Sequence, residues 1–191
     1  GEIWGFDYTD FINDPQICPV FTMCLLHLFE DLIDGRPIAL FMEEFWALLG
    51  NPVFEGFVKN KLKTIRKESG FVLMTTQQPD DVLSTDLAKT AVQQHVTGIY
   101  LPNPNARYAD YVTGFGLTET QFNLVRVLPV DSRAALIKQE DKSAIVRFDL
   151  TGVNDVIAVL SGDKETVEML DDIRAEVGDD PLVWEPFFLE A

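Results

Sequence analysis

Two apolar runs that end abruptly on polar side chains constrain this chain more than any other feature. The first is Ile38-Ala39-Leu40-Phe41-Met42, which runs into Glu43-Glu44 and is bounded upstream by Gly35 and Pro37. The second is Phe71-Val72-Leu73-Met74-Thr75-Thr76, which runs into Gln77-Gln78-Pro79. A short continuous apolar run between turn residues reads as a strand buried on both faces, as in a parallel sheet. Helical patterns separate these runs. Alternating β and α segments argue an α/β fold with a parallel sheet and right-handed crossovers.

The rest of the chain fits that order. Glu2 to Tyr8 reads as a short first strand ending in an acid. Ile17 to Ile33 carries a helical stripe of Val20, Cys24, Leu28 and Leu32. Phe45 to Leu49 reads as helical, and Asn51 with Pro52 can cap and open the next helix. That helix, Val53 to about Glu68, places Phe54, Val58, Leu62 and Ile65 on one face and Lys59, Lys63, Arg66 and Lys67 on another. Val82 to Gln94 is a helix and Val96 to Leu101 a third strand of the sheet. Two short helices follow, Ala106 to Val112 and Thr118 to Val127, the second with the Thr118–Gln121 spacing of a capping box. Arg133 to Lys138 and Ser143 to Asp149 pair as a hairpin, and Val153 to Leu160 suits either strand or helix. An acidic helix from about Asp163 to Val177 precedes an apolar tail with Trp184, Phe187 and Phe188.

Charge narrows the function. The net charge of −16 argues against a general nucleic-acid-binding surface. Ten acids and two bases lie between Asp163 and Ala191, so half of that charge sits in the last 29 residues. Against this background Lys59, Lys61, Lys63, Arg66 and Lys67 put five positive charges into nine residues. No apolar stretch approaches the roughly 18 residues of a membrane span. Cys18 and Cys24 sit in an apolar helical context and read as free thiols suited to a reducing compartment. His27 and His95 have no partners at a zinc-motif spacing. The chain begins with glycine and is strand-like by Ile3, so the expectation is a piece of a longer protein.

Open α/β sheets hold their ligands beyond the carboxyl ends of the strands. An apolar strand tipped by two acids has the form of a Walker B strand in a P-loop ATPase. There one acid holds Mg²⁺, usually through water, and the next orients the attacking water. The plainer alternative is a buried strand with an acidic exit. Gln77 shifts the balance, because a RecA-like ATPase often ends the strand beside Walker B in a polar sensor of the γ-phosphate. A carboxamide can donate to a phosphate oxygen and accept from water. The basic helix is either a solvated face or a phosphate contact. Arg66 is its most specific member, since a guanidinium grips phosphate through two parallel bonds, and Arg133 is a second candidate arginine finger.

Taken in order, these pieces resemble a family. GFDYTDFINDPQICPVFTMCLLHLFEDLIDGRPIALFMEEFW, LKTIRK, TTQQPDD, TGIYLPNPNA, GLTETQF, RAALIKQEDKSAIVRFDL and LSG are similar to the C-terminal half of the large ATPase of bacterial type IV secretion, the fourth VirB-type component and its conjugative relatives. The resemblance runs from about Gly5 to Gly162. It implies a RecA-like P-loop core with a parallel sheet flanked by helices, a C-terminal β-hairpin and helix, and truncation at the N-terminus. It implies residues 1–162 as the Walker B and sensor half of an ATPase domain, and 163–191 as an acidic helix and apolar tail. It implies ATP and Mg²⁺ as cofactors, with Glu43 at the metal, Glu44 on the water, Gln77 as sensor, and Arg66 and Lys67 near the nucleotide. It also implies self-association, often as hexamers, with other secretion components at the cytoplasmic face of the inner membrane.

Two features depart from that pattern. Walker B usually reads Asp-Glu, and this chain has Glu43-Glu44. No GxxxxGK[ST] occurs in the 191 residues, so the phosphate cradle is expected upstream and the piece alone is expected to be inactive. A non-catalytic assembly module and a DNA-pumping motor of the same fold are the alternatives.

Overall fold

The computed structural model describes residues 3–11, 14–44, 52–84, 92, 95–162 and 164–190. The expected helix Phe45–Leu49, the Asn51 cap and most of the expected helix Val82–Gln94 lie outside them. The chain divides into two compact units, Gly1–Val146 and Arg147–Ala191.

The first unit contains both apolar runs. β1 (Ile38–Met42) and β2 (Gly70–Met74) pair in parallel, with Ile38 opposite Gly70 and Met42 opposite Met74. The crossover passes through α2 (Pro52–Thr64), as a parallel pair requires. α2 buries Phe54, Phe57 and Val58 against Leu26 of α1 (Ile17–Leu32), with Phe29 and Met42 at the margin of the cluster. Gly70 sits where a Cβ would come within 2.8 Å of the Ile38 side chain and 2.9 Å of that of Ile65. The small residue is what lets β2 close on β1.

Several expectations are corrected here. The strands are not buried on both faces: Leu40 is buried, whereas Phe41 is 71% exposed and Phe71 55%. Their rings meet edge-on 6.2 Å apart on that open face. A strand pair covered from one side shows alternation, and the continuous apolar run concealed it. α1 does not bury its Val20–Cys24–Leu28–Leu32 stripe. It turns Thr22, Leu25 and Leu26 inward, and Thr22 Oγ1 satisfies itself by donating to the Cys18 carbonyl at 2.7 Å. A small hydroxyl that caps its own backbone can be buried cheaply. Residues Ile3 to Tyr8 carry no strand.

The third apolar run is a strand, β3 (Thr97–Tyr100), but not of the parallel sheet. It pairs antiparallel with β4 (Ala134–Gln139), which is followed by β5 (Lys142–Arg147) in the order β3-β4-β5. Periodicity gives a strand but not its partner. The hairpin β4–β5 offers an edge that β3 fills. Its core is Tyr100, Tyr111, Leu117, Phe122, Val125 and Leu136. α4 (Glu119–Val127) has the expected capping box: Thr118 accepts from the Gln121 amide and Gln121 reaches back to the Thr118 amide. The helix expected from Ala106 is instead a π-helix, Ala109–Gly114.

The second unit holds α5 (Asn154–Leu160), α6 (Lys164–Val177) and α7 (Pro181–Glu190), with α7 packed on both others. The ambiguous Val153–Leu160 run is therefore helical. Phe188 of α7 is buried and meets Trp184 edge-on at 6.2 Å, while Leu182 and Phe187 are exposed. Among the described residues no helix is long and apolar enough to cross a membrane.

Candidate functional site

The parallel register sets the site. Met42 and Met74 are opposite one another, and the Thr75 amide donates to the Met42 carbonyl at 3.0 Å, one step beyond the strands. Glu43-Glu44 and Thr75-Thr76-Gln77 therefore leave the sheet at the same edge. Neighbouring strands run about 4.8 Å apart, so groups on the two exits can meet one small ligand.

The acid exit is bent sharply. Glu44 has φ 49°, in the left-handed region that non-glycine residues avoid. Such strain persists where the surroundings enforce it, and it turns the chain directly after Glu43. The Tyr8 hydroxyl donates to the Glu43 carbonyl and so ties the N-terminal segment to the strand end. Burial first, then the charges of Glu44, Glu43 and Asp7, raise the Tyr8 phenol above its ordinary value. It stays a neutral donor beside the acids. Asp7 is occupied locally, accepting from the Thr9 hydroxyl at 2.7 Å and then the Thr9 amide at 2.9 Å, which together hold its carboxyl below the ordinary value.

The glutamine exit is a tight turn. Thr76 Oγ1 donates to the Gln78 carbonyl at 2.9 Å and accepts from the Gln78 amide at 3.1 Å. Gln77 is thereby held exposed at the apex, and Pro79 opens α3 (Pro79–Leu83) directly behind it. Val82 of α3 packs with Met42, Met74 and Phe115, joining both strand ends to the helix. Gln77 forms part of a cleft of about 380 Å³ whose other walls include Asp80, Asn103, Arg107, Asp110 and Tyr111. Glu43 and Glu44 share the sheet edge with Gln77 but are not among the cleft's walls.

Arg107 is the functional candidate that sequence reasoning missed. Its Nε donates to Asp110 at 2.7 Å and another guanidinium nitrogen binds Asp80. Hydrogen bonds to Asp110 and then Asp80 raise its pKa further. The available signal was the Asn103-Pro104-Asn105 turn two residues before it and the Arg107–Asp110 spacing on one helical turn.

Arg66, Lys67 and Arg133 are exposed and lie outside the cleft walls. Among the described residues none of the three forms an ion pair, whereas Lys61 is buried and pairs with Glu68 at 3.2 Å. Arg133 adopts φ 53° where a 3₁₀ turn hands over to β4. No group of three or more metal-donor side chains gathers among the described residues. Mg²⁺ commonly takes one or two protein carboxylates and completes its shell with water and phosphate. The exposed Glu43 fits that single-donor role.

No protein-family model matches the chain. The curated relatives that it matches are type IV secretion proteins. It is 35% identical over 182 residues to "Type IV secretion system protein PtlC" of Bordetella pertussis, covering 95% of this chain and 22% of that protein. Within the class the relation is to VirB4. Identity is 43% over 187 residues to virB4 of Brucella abortus, covering 98% of this chain and 22% of that protein. It is 43% over 185 residues to virB4 of Bartonella henselae, covering 96% of this chain and 24% of that protein. The chain is a homologue of one portion of the VirB4 proteins of type IV secretion and spans under a quarter of the length of the relatives it matches.

Proposed function

We propose that the chain is the Walker B and sensor half of a RecA-like motor ATPase that energises type IV secretion, from the C-terminal part of a VirB4-type protein. The observation that carries this reading is the parallel β1–β2 register, which delivers Glu43-Glu44 and Gln77 to one sheet edge. The left-handed turn at Glu44 adds to it. In the intact protein Glu44 accepts the proton of the attacking water or orients it. Glu43 holds hydrated Mg²⁺, and Gln77 hydrogen-bonds the γ-phosphate. Arg66 or Arg133 meets developing charge from within the subunit or from a neighbour, with Lys67 beside the nucleotide. The phosphate cradle comes from residues outside this chain. Mg²⁺ bound there would draw charge from the transferring phosphoryl group. The residues of this half-site all lie in the first unit, Gly1–Val146, and the acidic α6 and apolar α7 lie in the second. The assembly proposed is a ring, often a hexamer, at the cytoplasmic face of the inner membrane.

The test is Glu44→Gln in the full-length protein. Turnover is expected to fall by several orders of magnitude while nucleotide binding persists. Hydrolysis near the parent rate would overturn the assignment. A second reading, a surface for other secretion components, is favoured by the exposed Leu182 and Phe187 on α7. Charge substitution at those two positions would then abolish secretion and leave ATP hydrolysis intact. A DNA-pumping role is the less favoured variant, given the −16 charge, and would show as DNA-stimulated hydrolysis.

A further inference from the structure

We propose that Arg107 is a positioning residue for Gln77, acting through Asp80. This rests on the reading of Gln77 as the γ-phosphate sensor. Gln77 stands in the four-residue connection between β2 and α3, and Asp80 lies three residues beyond it on α3. On its inner side α3 is held by Val82 against Met42 and Met74, the last residues of both strands. On its outer side the only charged link from α3 to the π-helix that is seen among the described residues is Arg107, which grips Asp80 and Asp110 together.

The two ends of that link differ. The Asp110 side chain is only 12% exposed and the Asp80 side chain 64%. The guanidinium is therefore fixed at its inner end by a bond of 2.7 Å to a largely buried carboxylate and reaches outward to hold an exposed one. Arginine suits this task because its planar fork binds two carboxylates in one fixed geometry, which a lysine point charge does not. Arg107 and Gln77 also line the same cleft, so a shift of α3 moves the sensor amide relative to whatever occupies it. A solvent-exposed ion pair adds little to global stability. Loss of the Asp80 contact should therefore appear in turnover and not in melting.

The test uses the full-length protein and four variants: Arg107→Met, Arg107→Lys, Asp80→Asn and Gln77→Ala, with the Gln77→Ala/Arg107→Met double. Misplacing a reacting group by about 1 Å can cost on the order of a hundredfold in rate. Arg107→Met is expected to lower kcat by between about tenfold and a hundredfold with KM for ATP changed less than about threefold. Arg107→Lys should recover only part of the loss. The decisive result is the double variant, which should be no slower than Gln77→Ala alone, because a positioning residue has nothing left to position. If the two losses multiply instead, or if Arg107→Met turns over normally while Gln77→Ala does not, the proposal fails and the sensor reading stands. If Gln77→Ala itself hydrolyses ATP at the parent rate, the sensor reading fails and the proposal with it. Should Arg107→Met not fold, Asp80→Asn breaks only the exposed half of the link and must lower kcat in the same way, again without effect in the Gln77→Ala background.

Discussion

Glu44 concentrates the residue-scale questions, because the proposed catalytic acid is also a strained one. A side chain in the left-handed region costs roughly 1–2 kcal/mol relative to the right-handed one. Glycine escapes that cost but gives up about 0.5–1 kcal/mol to the freedom of its unfolded chain. Glu44→Gly should therefore be more stable than Glu44→Ala by up to about 1 kcal/mol, with hydrolysis lost in both. Urea midpoints of the two variants decide it, and equal midpoints would mean that the turn carries no strain. The position of the acid pair at a strand end was legible in the sequence because it depends only on the apolar run that precedes it. The strain was not, since nothing in Met-Glu-Glu-Phe calls for φ > 0. Arg107 was hidden for a related reason. Its two carboxylates lie 27 positions upstream and three downstream, and only the packing of α3 on the π-helix brings Asp80 to it.

At the scale of elements, local signals were readable and pairings were not. The Thr118 capping box formed as spelled, since both of its bonds close within three residues. Thr118→Ala should destabilise the first unit by about 1 kcal/mol. Activity of the intact protein should hold, because Thr118 is not a wall of the cleft, although α4 reaches the walls Asn103 and Tyr111 through Val125 and Phe122. A drop in kcat larger than the stability loss explains would put α4 closer to the chemistry than its position implies. Gly70 belongs to the other class. Its role depends on the approach of Ile38 and Ile65, which no local pattern announces. An added methyl would meet Ile38 side-chain and backbone atoms at 2.8 and 3.1 Å, and backbone cannot swing away. Gly70→Ala should cost about 1–3 kcal/mol by overpacking and weaken the parallel pair that aligns the two exits. Parent-like stability and turnover would show that the register tolerates a wider spacing. The same limit explains β3: its apolar run was a strand on inspection, yet its choice of β4 over β2 is a non-local decision.

For the whole molecule the balance between charge and buried hydroxyls sets the response to pH. The chain already carries −16, so every further deprotonation adds to self-repulsion. Tyr100 lies in the core of the antiparallel layer, and burial, with a smaller contribution from Tyr111, pushes its phenol from 10.0 up to about 12. Below pH 10 the folded and unfolded chains both keep this proton, and the site adds no pH dependence. Between pH 10 and 12 the unfolded chain releases it while the folded chain holds it, so the unfolded state binds fewer protons and stability falls as pH rises. Above the folded value the contribution is gone. The total loss from this one group should be at most about 2 kcal/mol, discounted for solvent reaching the ring edge. Tyr8 is raised for the same leading reason and acts with the same sign, so some alkaline slope should survive removal of Tyr100. The comparison is therefore one of slopes. Urea midpoints taken from about pH 9 upward should fall less steeply for Tyr100→Phe than for the parent chain. Parallel curves would mean that general repulsion, and not the buried phenol, governs alkaline unfolding.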